Sequence, residues 1–292
     1  MKKIVVVGSG FGGLSIASKL KAKKFDVTLI EKHKDLGGRA RTFVHNDIKY
    51  DAGPTVITAP YLIDELFSAH GEKLSDYVNL LPVKPWYRFL FDSGDYIDYG
   101  DKLISTVHEI KAKYGNDKAQ AYLKLLKHSK QIFKKGFIEL SDEPFESIFS
   151  MLKHLPALIK IRFDRSVYQT VNKYLNNRNL NEALSMHPLL VGGNPYSTTS
   201  IYLLIQYLEW KWGVYYAEGG TGRIIDGLEK LLIKKDVNIK KNTEAKKIIL
   251  KNNKVVGIDT SQGIIDCDII VCNSDPTYTY NNLLGFKPKK VS

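Results

Sequence analysis

Cysteine is nearly absent: Cys267 and Cys272 are the only two in 292 residues, and they form no CxxC pair. That leaves no disulfide framework and no cysteine-based structural zinc, and it fits a reducing, cytoplasmic setting. Five positions apart, the two thiols would lie on opposite faces of a regular strand and read as small buried hydrophobes. The seven histidines make neither HExxH nor another ligand pair, and no GxSxG appears, so metalloenzyme and hydrolase chemistries are excluded and no metal site is expected. Long apolar runs are missing too. No stretch reaches the roughly eighteen residues of a membrane-spanning helix, which leaves only peripheral membrane contact. Acidic residues are the minority, 31 against 43 Lys plus Arg, for a net charge of +12. The basic residues are scattered, without a long arginine run, an RNP-like aromatic signature or a Cys/His finger, so a nucleic-acid module is not supported. An anionic lipid surface is the better partner, and a generally lysine-rich composition is the plain alternative.

What is present is the composition of a folded protein, 43% hydrophobic and 25% charged, long enough for two compact units. Met1 to Lys3 followed by Ile4 to Val7 superficially resembles a secretory leader with small residues at Ala17 and Ser18, but the intervening glycines argue against it. Ile4-Val5-Val6-Val7 has the β-branched character of a strand buried on both faces, and it runs straight into Gly8-Ser9-Gly10-Phe11-Gly12-Gly13. Leu14, Ile16, Ala17 and Leu20 then give a helical apolar face, and Phe25 to Ile30 reads as a second strand ending at Glu31. This is a βαβ dinucleotide unit: Gly8 permits the tight turn, Gly10 lets backbone approach a pyrophosphate, and Gly13 allows helix and strand to pack closely. Glu31, about twenty residues on, stands where a ribose-binding acid is needed. The bland alternatives are a simple glycine turn and a solvated strand-end carboxylate. The unit alone does not separate NAD from FAD, since both carry an ADP moiety.

Two further segments add specificity. Gly37-Gly38-Arg39-Ala40-Arg41 follows a short polar loop, and Tyr50-Asp51-Ala52-Gly53-Pro54-Thr55 opens a second turn. Taken singly they read as surface cations and an ordinary turn. In this order they resemble the flavin-containing amine oxidase and phytoene desaturase superfamily. The resemblance implies FAD as cofactor, with Gly38, Arg39 and Ala40 along the diphosphate and ribityl chain and Gly53, Pro54 and Thr55 near the flavin; Arg39 is chemically suited to a phosphate. The run from Leu81 to Phe91, LLVGGNP at Leu189 to Pro195 and WGVYYAEGGTG at Trp212 to Gly222 are similar to bacterial-type phytoene desaturases, and the likeness extends over nearly the whole chain.

The expected fold is therefore α/β: a Rossmann-like FAD-binding domain of the glutathione-reductase type, residues 1–85 and 213–292, with an inserted mainly helical or mixed substrate domain, residues 86–212. Family membership implies an apolar, phytoene-like polyene entering beside the flavin. Tyr202, Tyr207, Trp210 and Trp212 are candidate liners, with plain core as the competing reading. Ser147 to Arg165 mixes apolar residues with Lys153, Lys160, Arg162 and Arg165, as an interfacial helix or a packed surface helix would, and Pro156 interrupts it. Some relatives place an acidic residue in this region; Ser150 and Lys153 stand here instead, so no catalytic acid or base is assigned.

Thr221 to Ile233 reads as a helix, and Val237 to Cys272 as short β runs with a turn at Asn252-Asn253 and another buried strand at Ile269 to Val271. By resemblance the adenine is met near Ala245. The chain stops soon after Asn273 to Pro276, whereas complete relatives continue to a glycine-rich closing motif, so a fragment is expected. The implied reaction is desaturation of phytoene or a related carotenoid precursor by hydride transfer to flavin and proton loss, in a protein held peripherally at the inner face of the membrane. The alternatives are a related flavoenzyme, such as a diapophytoene desaturase or carotenoid isomerase, and an inactive membrane-associated remnant. Oligomeric state is not indicated.

Overall fold

The computed structural model describes residues 1–139, 156, 159 and 161–285. The chain divides into two compact units, Met1–Leu81 with Tyr215–Ser292, and Pro82–Val214.

The first unit is built on a parallel sheet in the order Ile269–Cys272, Lys3–Val7, Asp26–Ile30, Asn238–Lys240. Its register pairs Ile4 with both Ile269 and Val27, and Thr28 with Asn238. Successive side chains of Lys3–Val7 point to opposite faces, and both faces are covered, which explains the uninterrupted apolar run. Val6, with Val27 and Leu29, packs against Leu14 and Ala17 of the helix Phe11–Ala22 and against Ile224, Leu228 and Leu231 of the helix Gly222–Lys234. Val5, Val7 and Ile30 face the other way, onto Ile248 and Ile258. That second face is covered by an antiparallel sheet of Ala245–Lys251, Lys254–Thr260 and Gly263–Asp266 rather than by helices.

Most local readings of this unit match the elements formed, within a residue or two at their ends. The helix begins at Gly222 and the second strand at Asp26. Asn252 and Asn253 have φ of 52° and 58°, the left-handed pair that a two-residue hairpin turn requires. Two readings differ. Ile269–Cys272 is one of the two edge strands of the sheet and is only partly buried. Cys267 precedes that strand instead of lying in it, so both thiols pack against the same apolar cluster, not on opposite faces. Burial raises the pKa of each above the usual thiol range.

In the second unit the hairpin Tyr87–Leu90 and Tyr96–Tyr99 accompanies the helices Leu103–Tyr114, Asn116–Phe133, Val167–Leu175, Arg178–Leu184 and Leu204–Trp212. Helix Asn116–Phe133 buries Tyr122, Leu125, Leu126, Ser129 and Phe133 at helical spacing. Trp86 and Trp210 lie 4.5 Å apart by ring centroid, Trp210 Nε1 donates to Tyr122 Oη at 2.8 Å, and Tyr207 and Trp212 pack on Phe133. Three of the four candidate liners thus sit in aromatic packing within the unit, while Tyr202 is partly exposed. Glu209 is fully buried; it accepts from Tyr87 Oη at 2.8 Å and lies 3.1 Å from His187 Nε2. Burial and that carboxylate push the Tyr87 phenol well above its ordinary pKa.

Most of the expected interfacial segment, including Ser150 and Lys153, lies outside the described residues. Among the described residues no helix is long and apolar enough to cross a membrane, and no group of three or more His, Cys, Asp or Glu is placed to hold a metal ion.

Candidate functional site

The strands Lys3–Val7, Asp26–Ile30 and Ile269–Cys272 are parallel, so their C-terminal ends emerge together, the edge where ligands settle in open α/β sheets. Directly beyond that edge lies a cavity of about 850 Å³ belonging wholly to the first unit.

Its floor is the glycine turn. Gly8 has φ of +90°, a conformation that suits glycine, and its N–H donates to Ile30 O at 2.9 Å. A Cβ on Gly13 would stand 1.9 Å from the Gly8 carbonyl oxygen, so the helix can lie this close to the turn only because Gly13 has no side chain. Gly13 is outside the cavity wall, whereas Gly8, Ser9, Gly10, Phe11 and Gly12 line it. Gly10 caps the helix Phe11–Ala22 without a side-chain hydrogen bond, and the first turn carries no acidic residue. Its free N–H groups and positive dipole end therefore open into the cavity.

Glu31 stands at the end of the neighbouring strand, 6% exposed and in the wall. Its Oε2 accepts from the Ser9 N–H at 2.9 Å and the Ser9 hydroxyl at 2.6 Å, and Oε1 accepts from the His33 N–H at 3.0 Å. Burial alone would raise its pKa, but the Ser9 and His33 hydrogen bonds outweigh that and hold it below the usual carboxylate value.

A third wall comes from the loop after the second strand. Gly37, at φ of +109°, donates its N–H to Ser9 O at 2.9 Å and so ties the loop to the glycine turn. Gly38, Arg39 and Ala40 line the cavity, with Arg39 exposed and Ala40 buried. Gly53 lies against this loop so tightly that a Cβ would come within 2.3 Å of Arg39 O. Gly53 and Pro54 share the wall; Thr55 is exposed and outside it. Ala245 closes the far side beside Thr243 and Glu244.

Sequence reasoning missed Asn273, Ser274, Asp275, Tyr278 and Leu283, which also line the cavity, as do Lys32 and Ala52. Asn273 follows the edge strand, donates its N–H to Val7 O at 2.9 Å, and lays its amide over the turn. A Cβ at Gly12 would meet its Oδ1 at 2.4 Å, and one at Gly10 its Nδ2 at 3.0 Å. The available signal was a β run ending beside the first strand.

An uncapped helix N-terminus over a side-chain-free turn suits a diphosphate, a buried strand-end carboxylate suits ribose hydroxyls, and an exposed arginine on the rim suits a second anionic contact. The residues present thus fit FAD as a group. Fold and cavity together have the form of an α/β dinucleotide-binding unit.

Residues 11–289 match the family described as flavin containing amine oxidoreductase, and the chain belongs to that family. It is 39% identical over 289 residues to a lycopene-forming phytoene desaturase of Pseudescherichia vulneris, covering 99% of this chain and 58% of that protein. With a neurosporene-forming phytoene desaturase of Rhodobacter capsulatus it shares 33% identity, covering 97% and 54%. The chain therefore spans just over half the length of these relatives. Among solved structures, a Pyrococcus furiosus protein gives a TM-score of 0.63 at 17% identity, over 97% of this chain and 61% of that one. Putrescine oxidase bound to putrescine gives 0.60 at 12%, over 99% and 61%. These two likenesses speak for the fold.

Proposed function

We propose that this chain is the FAD-holding part of a carotenoid desaturase that acts on phytoene or a closely related precursor. The observation that carries the reading is the meeting, in one cavity, of the Gly8–Gly12 turn, Glu31, the Gly38–Ala40 loop, the Gly53-Pro54 turn and Ala245. Gly10, Phe11 and Gly12 would take the diphosphate on backbone N–H groups, Gly8 and Ser9 would shape the turn beneath it, and Glu31 would take the ribose hydroxyls. Arg39 would face the phosphates and ribityl chain, Gly53 and Pro54 would approach the ring system, and Ala245 the adenine. When bound, FAD supplies a two-electron acceptor for hydride from an allylic carbon. The chain's own residues bind, orient and exclude water, which is why no acid–base pair is needed in this unit.

The phytoene reading rests on the curated relatives and on the motifs shared with them; the apolar substrate implies peripheral contact with a membrane surface, where such a molecule resides. Titration of the purified chain with FAD, and with NAD in parallel, tests it through flavin fluorescence quenching. Saturable FAD binding at micromolar levels, with none for NAD, is expected. NAD binding without FAD binding would overturn the flavin assignment. Product analysis after offering phytoene in liposomes to the FAD-loaded chain then separates desaturation from isomerisation.

A further inference from the structure

The second unit contains a cavity of its own, about 610 Å³, within the size range of small-molecule sites. It lies beside the C-terminal end of the helix Arg178–Leu184, which Asn177 starts by accepting from the Leu180 N–H at 3.1 Å. After that helix the chain makes a short 3-10 turn, His187–Val191, closed by Gly192 at φ of +76°. The turn leaves Leu189, Leu190 and Val191 61%, 42% and 59% exposed, and Tyr196 follows at 60%. Leu189 and Tyr196 belong to the cavity wall together with Tyr168, Met186 and Pro195, and the Tyr168 and Tyr196 rings pack in a tilted pair 4.5 Å apart by centroid. Several adjacent apolar side chains at the mouth of a cavity mark a place where apolar matter binds.

Of the polar wall residues, Glu182 accepts from Arg178 Nε and Asn194 accepts from the Tyr196 N–H, whereas the Ser185 side chain is left over. Ser185 is 1% exposed, and its hydroxyl has no hydrogen-bond partner among the described residues. A buried hydroxyl left unpaired costs free energy that an alanine at the same place would not. The helix geometry does not need it, since the Ser185 backbone N–H already donates to Asn181 O at 3.1 Å. A hydroxyl both donates and accepts, so it can serve a ligand alcohol or a ligand carbonyl.

We propose that this cavity binds a small, chain-like apolar molecule carrying one hydroxyl or carbonyl oxygen, with the apolar body against Met186, Leu189, Tyr168 and Tyr196 and the oxygen on Ser185 Oγ. The site shares no lining residue with the flavin cavity, uses only residues of the second unit, and holds whether or not FAD binds. It selects an oxygen-bearing molecule, which the hydrocarbon substrate proposed above is not.

The test uses the full chain with all-trans-retinol, a fluorescent polyene alcohol, and with its hydrocarbon analogue lacking the hydroxyl. Retinol emission should rise saturably, and retinol should bind about fivefold tighter than the analogue, as one neutral hydrogen bond allows. Ser185→Ala should erase that difference without lowering the melting temperature, because Ser185 Oγ has no partner among the described residues. Leu189→Asp, at an exposed position, should weaken both probes. Equal affinity for the two probes in the parent chain, or a preference for retinol that survives Ser185→Ala, would overturn the polar contact. Binding insensitive to Leu189→Asp, or no binding to a folded chain, would overturn the site. FAD titration of the same samples keeps this outcome distinct from that of the flavin assignment.

Discussion

At the scale of single residues, the glycine turn separates two kinds of necessity. Gly13 faces backbone: a methyl there meets the Gly8 carbonyl, which cannot move without pulling the first strand out of register. Gly12 faces the end of the Asn273 side chain, which can rotate. Gly13→Ala should therefore cost about 1–3 kcal/mol of stability and abolish FAD binding, while Gly12→Ala should cost less and act mainly on affinity, read by urea unfolding and flavin titration. Glu31 carries a sign that can be worked out. Its folded pKa lies below the ordinary 4.5, so its contribution is fully present above that value and is lost as pH falls through the lowered one. Glu31→Gln should melt below the parent at pH 7, the two curves should converge in acid, and FAD affinity at neutral pH should drop about tenfold or more with the loss of a charge-assisted hydrogen bond. Melting temperature against pH checks the first part and flavin titration the second. Glu31 was readable in the sequence because it ends a strand that follows a glycine turn. Asn273 was not, because nothing local announces that a residue so distant in sequence will lie over the same turn.

At the scale of elements, periodicity carried most of the information. The apolar run Ile4 to Val7 required cover on both sides, and the structure supplies helices on one and an antiparallel sheet on the other; the run does not say which kind of element covers which face. The aromatics of the helix Leu204–Trp212 were ambiguous for a related reason: a helix presents the same spacing to a core as to a ligand, and only the partners Trp86, Tyr122 and Phe133 decide. Turn chemistry was less ambiguous. Asn252 and Asn253 both adopt left-handed φ, which asparagine tolerates and β-branched residues do not. Asn253→Val should cost about 1–2 kcal/mol, and Asn253→Gly should be neutral or slightly stabilising, as thermal melts of the two variants will show. The hairpin they close backs the sheet through Ile248 and Ile258, so the cost should spread to the first unit as a whole.

At the scale of the whole molecule, the first unit depends on chain from both ends of the sequence. The strand Lys3–Val7 is flanked by Ile269–Cys272 on one side and Asp26–Ile30 on the other, and the cavity takes its floor from residues up to Pro54 and its far wall from residues from Thr243 onward. A chain ending at Val214 keeps every glycine of the turn, the Glu31 carboxylate and the Gly38–Ala40 loop, yet loses both edge strands, Asn238–Lys240 and Ile269–Cys272, the helix Gly222–Lys234 that buries Val6, and the sheet that buries Val5 and Val7. Such a chain should not bind FAD, although the sequence motif is intact, and its residues 1–81 should exchange amide hydrogens without protection. In the chain of 292 residues, FAD at a hundredfold excess over its dissociation constant should add about 2.7 kcal/mol to the stability of the first unit. Exchange should slow in peptides from both of its segments, around Gly8 to Glu31 and around Thr243 to Leu283, and stay unchanged around Ser185 to Tyr196. Protection confined to the N-terminal segment would mean that the glycine turn binds alone and that the C-terminal wall contributes nothing to holding the cofactor.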